Sequence, residues 1–156
     1  MDYNGVKSSA IDPQYRLLGG GGNVSQLSNI KDYQENYEDT IQELINKGGS
    51  KELEVFLQTT KEWTPTQILF GEYFNDIKMI RNLVHHTLQE QSPQTNWSKT
   101  SIDEGVRKFI NKRYRTLALI THPDRGTEEK KEMMTTLFNR IKSAKETLDF
   151  KISQGG

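Results

Sequence analysis

No cysteine occurs among the 156 residues, which excludes a disulfide scaffold, a thiolate zinc site and a thiol nucleophile. Net charge is lacking too. Twenty-one basic side chains balance 21 acidic ones, so no global electrostatic pull toward nucleic acid or a membrane is expected. No apolar run approaches the ~18 residues of a membrane span, and no charged stretch followed by an apolar one opens the chain. The expectation is a soluble, cytoplasmic protein made without a cleaved secretory signal; delivery elsewhere as a viral or secreted effector stays open. Sustained period-two alternation and internal repeats are also missing, and the chain is expected to be all-α. Apolar residues reach only 33%, charged residues 27%, and the mean hydropathy is −0.79. Such a lean core supply predicts that part of the chain does not pack.

What is present is unevenly distributed. Residues 1–60 hold 5 basic and 9 acidic side chains and residues 61–156 hold 16 and 12, so the two parts carry −4 and +4. Residues 1–28 read as a flexible tail, with four consecutive glycines at Gly19 to Gly22, Pro13 and only isolated apolar residues. Glycine runs have much entropy to lose and nothing to bury. A short docking peptide around Tyr15 to Leu18 is the alternative.

Residues 29–62 form a helical extension in this reading. Ile30, Tyr33, Tyr37, Ile41 and Leu44/Ile45 recur at helical steps until Gly48-Gly49, and Ser50 is placed to cap a short helix carrying Leu53, Phe56 and Leu57. Residues 63–100 follow as a long helix and a linker. Thr64, Pro65 and Gln67 make a capping box, and Phe70, Tyr73/Phe74, Ile77, Ile80, Val84 and Leu88 make one continuous stripe, which Pro93 ends. Residues 101–152 are a helical hairpin: Ser101 and Glu104 predict a capping box, Pro123 stops the helix near Thr121, and a second helix begins near Glu128.

The chemistry is concentrated at the hairpin's turn. On a helical wheel Val106, Ile110, Tyr114 and Leu117 share one quarter of the circumference, and Lys108, Lys112 and Arg115 share the opposite side. From Gly105 to Ile120 there are five basic residues and no acidic one. One face therefore packs and the other is a cationic strip. At its end stand an imidazole, a helix-stopping ring and a carboxylate: His122, Pro123 and Asp124. Arg113 lies near the apolar side and is expected to snorkel past the edge of the hairpin. Burial is expected for Ile110, Tyr114, Leu117, Leu137, Phe138, Ile141, Ala144 and Leu148, and for the stripe from Phe70 to Leu88 docked on them, with a dimer through the same stripe as the alternative.

These residues resemble the J-domain family, the co-chaperones of DnaK-type seventy-kilodalton heat-shock ATPases. Ile110, Tyr114-Arg115, Leu117-Ala118-Leu119 and His122-Pro123-Asp124 sit at the family's spacing, and Phe138, Ile141, Ala144 and Leu148 match its third-helix core. The resemblance covers residues 101–150, near a third of the chain. Departures are Thr121 where an aromatic is common, Asn111 and Thr116 where basic residues are common, and Arg113 where a small residue is usual. The interval upstream, SPQTNWSK, is a poor match for the family's first helix. Either Trp97 fills that packing role or the long helix at 65–90 is an enlarged first helix. Auxilin-like members also carry a C-terminal J-domain behind extra helices, and no glycine/phenylalanine-rich segment, zinc module or client-binding β-domain accompanies this one.

The resemblance implies a regulator of a partner ATPase and not an enzyme. It implies that Asp124 pairs with an arginine of the ATPase, that His122 and Pro123 hold the loop, and that Lys108, Lys112, Arg115 and Arg125 meet an acidic groove. A client or targeting protein would engage residues 29–90. A helical adaptor without ATPase stimulation is the competing reading. Other features are blander. Three cations without interleaved aromatics are thin for nucleic acid. His86 and Glu90 offer two metal ligands and no third, and no nucleophile–base pair, phosphate loop or cofactor site is evident.

Overall fold

The structure is a computed structural model, and it describes residues 36–155. The tail expected over 1–28 and the first residues of the extension lie outside that range. The described chain is helical, with no strand. In order it runs α1 (36–46), α2 (Ser50–Thr59), α3 (Pro65–Phe70), α4 (Ile77–Gln91), α5 (Lys99–Thr121), a 3₁₀ turn at Pro123–Arg125, and α6 (Lys131–Ser153).

The α5–α6 hairpin forms as its stripes require. Ile102, Val106, Ile110, Leu117 and Ile120 of α5 and Met134, Leu137, Ile141, Ala144, Leu148 and Ile152 of α6 are all buried. Tyr114 and Phe138, expected in the same core, are only half-buried. Tyr114 lies beneath the Lys145 ammonium, 5.7 Å from its ring centroid, and Phe138 sits under the turn. One continuous core takes in Ile41 and Ile45 of α1, Leu53 and Leu57 of α2, Leu69 and Phe70 of α3, and the hairpin.

Local signals set the helix ends. Thr64 accepts from the Gln67 backbone N–H (3.2 Å) and the Gln67 side chain accepts from the Thr64 N–H (2.9 Å), the reciprocal cap expected. The single helix expected over 65–90 is two. Gly71, at φ 107°, ends α3 in a conformation that disfavours side chains, and its ideal Cβ would lie 3.2 Å from the Tyr37 ring. Asp76 then restarts the chain as N-cap of α4 by accepting from the Lys78 N–H (3.0 Å). The break lets Phe70 and Phe74 both reach the core, with rings 6.0 Å apart. Helix α3 packs against α6 and more lightly against α5, while α4 packs against α5.

Two further caps differ from expectation. Gly49, not Ser50, precedes α2, and its N–H is satisfied by the Glu52 carboxylate (2.9 Å). Ser98 caps α5 by accepting from the Ser101 N–H (3.1 Å), so the helix starts at Lys99, ahead of the Ser101/Glu104 box. Ser98 has the extended backbone an N-cap needs, and Ser101 is already helical.

Two ion pairs tie the outer helices to α5. Arg113 does not snorkel: it is 8% exposed, donates to the Glu38 carboxylate of α1 (3.1 Å), and lies 5.5 Å over the Phe70 ring, itself stacked on Phe109. Burial pulls the guanidinium down from its ordinary value, opposed by Glu38 and Tyr37, and arginine stays charged regardless. Beside it, burial pushes the Tyr37 phenol above its ordinary range, so it is a neutral donor to the Ile68 carbonyl (2.7 Å). The second pair joins α4 to α5: Arg81 and Lys99 bind the two Asp103 oxygens at 2.8 and 3.0 Å.

Asp103 generates a pH prediction. Burial raises its carboxyl, but the hydrogen bonds and charges of Lys99 and Arg81 outweigh that and hold it below the ordinary 3.8. A depressed carboxyl stabilises the fold fully above its unfolded value and loses that contribution as pH falls through the folded one. Asp103→Asn is therefore expected to cost about 1–3 kcal/mol at neutral pH. In urea melts the gap between variant and wild type should shrink steadily below about pH 4; a gap independent of pH would show that the ionised pair contributes nothing.

Candidate functional site

The tip of the hairpin is built by proline. Pro123 cannot continue α5 and drives the preceding residue out of the helical region, and His122 accordingly sits at φ −57°, ψ 131°. The last turn of α5 is closed from inside by the buried Thr121 hydroxyl, which donates to the Leu117 carbonyl (2.8 Å). From Pro123 the chain makes one 3₁₀ turn. The Arg125 N–H donates to the His122 carbonyl (2.9 Å) and the Gly126 N–H to that of Pro123 (3.2 Å).

His122 organises this turn twice over. Its Nδ1 accepts from the Asp124 backbone N–H (3.2 Å), so the ring acts as N-cap of the turn with its proton on Nε2. Its face meets the Phe138 ring edge-on, centroids 5.4 Å apart at 72°. The Asp124 carboxylate is uncommitted. It lies 3.7 Å from the imidazole nitrogen, beyond hydrogen-bond distance, and its side chain is 79% exposed. A negative charge is thus presented on a loop whose shape is set by its neighbours.

Lys108, Lys112 and Arg115 lie on the outer face of α5 as the wheel requires. All three are exposed, and none makes an ion pair with another described residue. Leu119, eleven residues beyond Lys108, continues the same line and is 66% exposed. Arg125 does not extend this strip. It stands at the tip, where its guanidinium donates to the Leu119 carbonyl (3.2 Å) and covers the C-terminal end of α5. The arrangement is a ridge of free cations ending in one exposed apolar side chain and one free carboxylate.

Three contributors were not visible in the sequence. Gly126 reads as a turn residue, but a Cβ there would collide with the Met134 sulfur, so the turn lies directly on the start of α6. Leu119, marked in the sequence only by the Leu117-Ala118-Leu119 spacing, is displayed. Lys130 reads as one charge in the run EEKK and is buried, its ammonium donating to the carbonyls of Ile45 (2.6 Å) and Gly48 (3.0 Å). A lysine just ahead of an N-terminal turn carries no sequence mark of such a role. Among the described residues no group of three or more histidine or acidic side chains is placed to hold a metal ion. Likewise, no described helix is long and apolar enough to cross a membrane.

Comparison with known proteins adds no relative: no family model matches the chain, and no curated protein or solved structure is significantly similar to it.

The Phe138–His122 contact predicts a specific phenotype. Because Phe138 is half-buried, Phe138→Ala should cost less than the 3–5 kcal/mol of a full core truncation, about 1–3 kcal/mol. The His122 ring-proton resonances should shift as the aromatic ring current is lost. NMR of the folded variant checks this, and unchanged His122 signals would mean the ring is not held there in solution.

Proposed function

We propose that the protein is a J-domain co-chaperone that stimulates ATP hydrolysis by a DnaK-type heat-shock ATPase. The observation that carries the reading is the tip. The His122-Pro123-Asp124 turn closes on itself through the imidazole and backbone and leaves the Asp124 carboxylate free at the end of an exposed cationic ridge. Asp124 meets an arginine of the ATPase, while His122 and Pro123 hold the turn. Lys108, Lys112 and Arg115 speed encounter with an acidic groove and orient the hairpin in it. The chain itself performs no chemistry; hydrolysis takes place in the partner's own site.

In this reading α3 supplies the family's first helix. It is the short helix that lies against α6 and α5, and this assignment is preferred to Trp97 or the whole of 65–90 because the latter is broken at Gly71. Helix α4 is then an insertion between the first and second helices, held to α5 through Arg81, Asp103 and Lys99. Close approach is possible because Gly105 has no side chain: a Cβ there would lie 2.9 Å from Val84 Cγ1. The extension within residues 29–90 offers the surface for a client or targeting protein.

Single-turnover ATP hydrolysis by the cognate DnaK-type chaperone tests the reading. Wild type should accelerate it. Truncating one side of an interfacial charge pair costs ~2–5 kcal/mol, so Asp124→Asn should lose about a hundredfold or more of productive coupling. Its melting curve should match wild type, since no described residue lies within hydrogen-bond distance of the carboxylate. Charge reversal at Lys112 and Arg115 should mainly slow association, weaken its salt dependence, and recover in part at higher protein concentration. If Asp124→Asn stimulates as well as wild type, the J-domain mechanism fails and the chain is better described as a helical adaptor.

A further inference from the structure

Lys130 is the buried lysine that links the start of α6 to the extension. Its ammonium lies on two carbonyls at the end of α1, Ile45 at 2.6 Å and Gly48 at 3.0 Å, 85 and 82 residues away in sequence. The Ile45 carbonyl is one of the orphans of the last turn of α1 and Gly48 lies just past it, where a cation is favoured both as donor and against the helix dipole. Residues from Gly49 onward continue the junction: Ser50 at the start of α2 donates to the Glu129 carboxylate (3.1 Å). The extension therefore grips the 129–130 segment by three hydrogen bonds, two from the Lys130 ammonium and one, exposed, to Glu129.

That segment connects to the tip without a gap. The Lys130 N–H donates to the Thr127 carbonyl (3.1 Å), and the Lys130 carbonyl accepts from the Met134 N–H (2.9 Å). Met134 is fully buried, and its sulfur fills the space beside Gly126 that a Cβ would need. Gly126 in turn closes the Pro123–Arg125 turn through its N–H to the Pro123 carbonyl (3.2 Å). A short path of packed atoms and hydrogen bonds thus runs from the end of α1 through Lys130, Met134 and Gly126 to the turn that displays Asp124.

We propose that Lys130 is a positioning residue for the tip, through which the α1–α2 extension sets the conformation of the His122-Pro123-Asp124 turn. The proposal deepens the co-chaperone reading in its functional part and rests on it there; its structural part concerns the free protein alone. A ligand that lifted the end of α1 off Lys130 would loosen the turn, so the extension is a lever on partner activation as well as a surface.

Amide hydrogen exchange on the full chain tests the structural part. Lys130→Met keeps the stem, removes the ammonium, and leaves the Ile45 and Gly48 carbonyls without their donor. In conditions where the variant is fully folded, exchange at Asp124, Arg125 and Gly126 should rise about tenfold or more, as a local opening does. Protection at Ile110 to Tyr114 and Ile141 to Leu148 should hold. Lys130→Arg, which retains charge and donors, should restore part of the protection. Glu129→Ala removes the exposed contact alone and leaves folding intact; a rise of about two- to threefold at the same three amides is expected, and this variant decides the matter if Lys130→Met does not fold. Unchanged exchange at the turn, or a uniform rise across α5 and α6, would overturn the proposal.

Single-turnover hydrolysis with the DnaK-type chaperone tests the functional part. Lys130→Met should lower the maximal stimulated rate several-fold even at saturating protein, in contrast to reversal of Lys112 and Arg115, which concentration rescues. A maximal rate equal to wild type would overturn this part. If wild type itself fails to stimulate, the co-chaperone reading falls while the exchange experiment still judges the positioning role.

Discussion

The apolar stripe of α6 is the surface on which the described chain is assembled. Met134, Leu137, Ile141, Ala144, Leu148 and Ile152 recur at three- and four-residue steps and are all buried. Helix α5 packs along this stripe, α3 lies against it, and α2 and the 3₁₀ turn reach it as well. Apolar contacts of this kind supply the driving force but little direction. Direction comes from enclosed polar groups, each of which must find a specific partner to avoid the cost of desolvation. Arg113 accepts only the place where Glu38 and the Phe70 ring meet it, and Lys130 only the place where α1 ends.

The displayed residues are separated from this core by design of the turn itself. Proline ends α5, the imidazole satisfies the first amide beyond it, and Arg125 donates to the Leu119 carbonyl in the last turn. The turn so formed makes no use of the Asp124 carboxylate or of the cations on the outer face of α5. Side chains with no structural partner are those a protein can commit to another molecule. The contact of the His122 ring with the half-buried Phe138 gives the loop a floor without enclosing it.

The sequence made some of this plain. Hydrophobic periodicity marks both arms of the hairpin, the Thr64-Pro65-Gln67 cap marks α3, and Pro123 marks the reversal, because each is a local signal acting within one or two turns. The break at Gly71 is harder to read. The apolar spacing runs straight through it, and what leaves little room for a side chain there is the Tyr37 ring from a distant helix, in addition to the positive φ. Competition between Ser98 and Ser101 as cap is decided by which backbone is extended, a property of the preceding linker. The fates of Arg113 and Lys130 depend on partners 75 and 85 residues away. Charge in a polar run looks solvated until such partners are known. Among the candidate site residues, Pro123 places His122 and Asp124 at the hairpin's turn and the helical wheel places the three cations on the outer face of α5; the supports beneath them carry no local signal.

Because α6 is synthesised after the other five described helices, its role as shared packing surface has a consequence for biogenesis. As the chain leaves the ribosome, α1 to α5 emerge with their apolar faces uncovered, and helices as short as α2 and α3 have little stability of their own in water. The hydrogen bond from Lys130 to the Ile45 carbonyl closes a loop of 85 residues, a contact that cannot form before Lys130 has been translated. Folding is therefore expected to wait until most of the chain has been made. During that interval the nascent protein is itself an unfolded client, dependent on whatever holds exposed apolar segments apart.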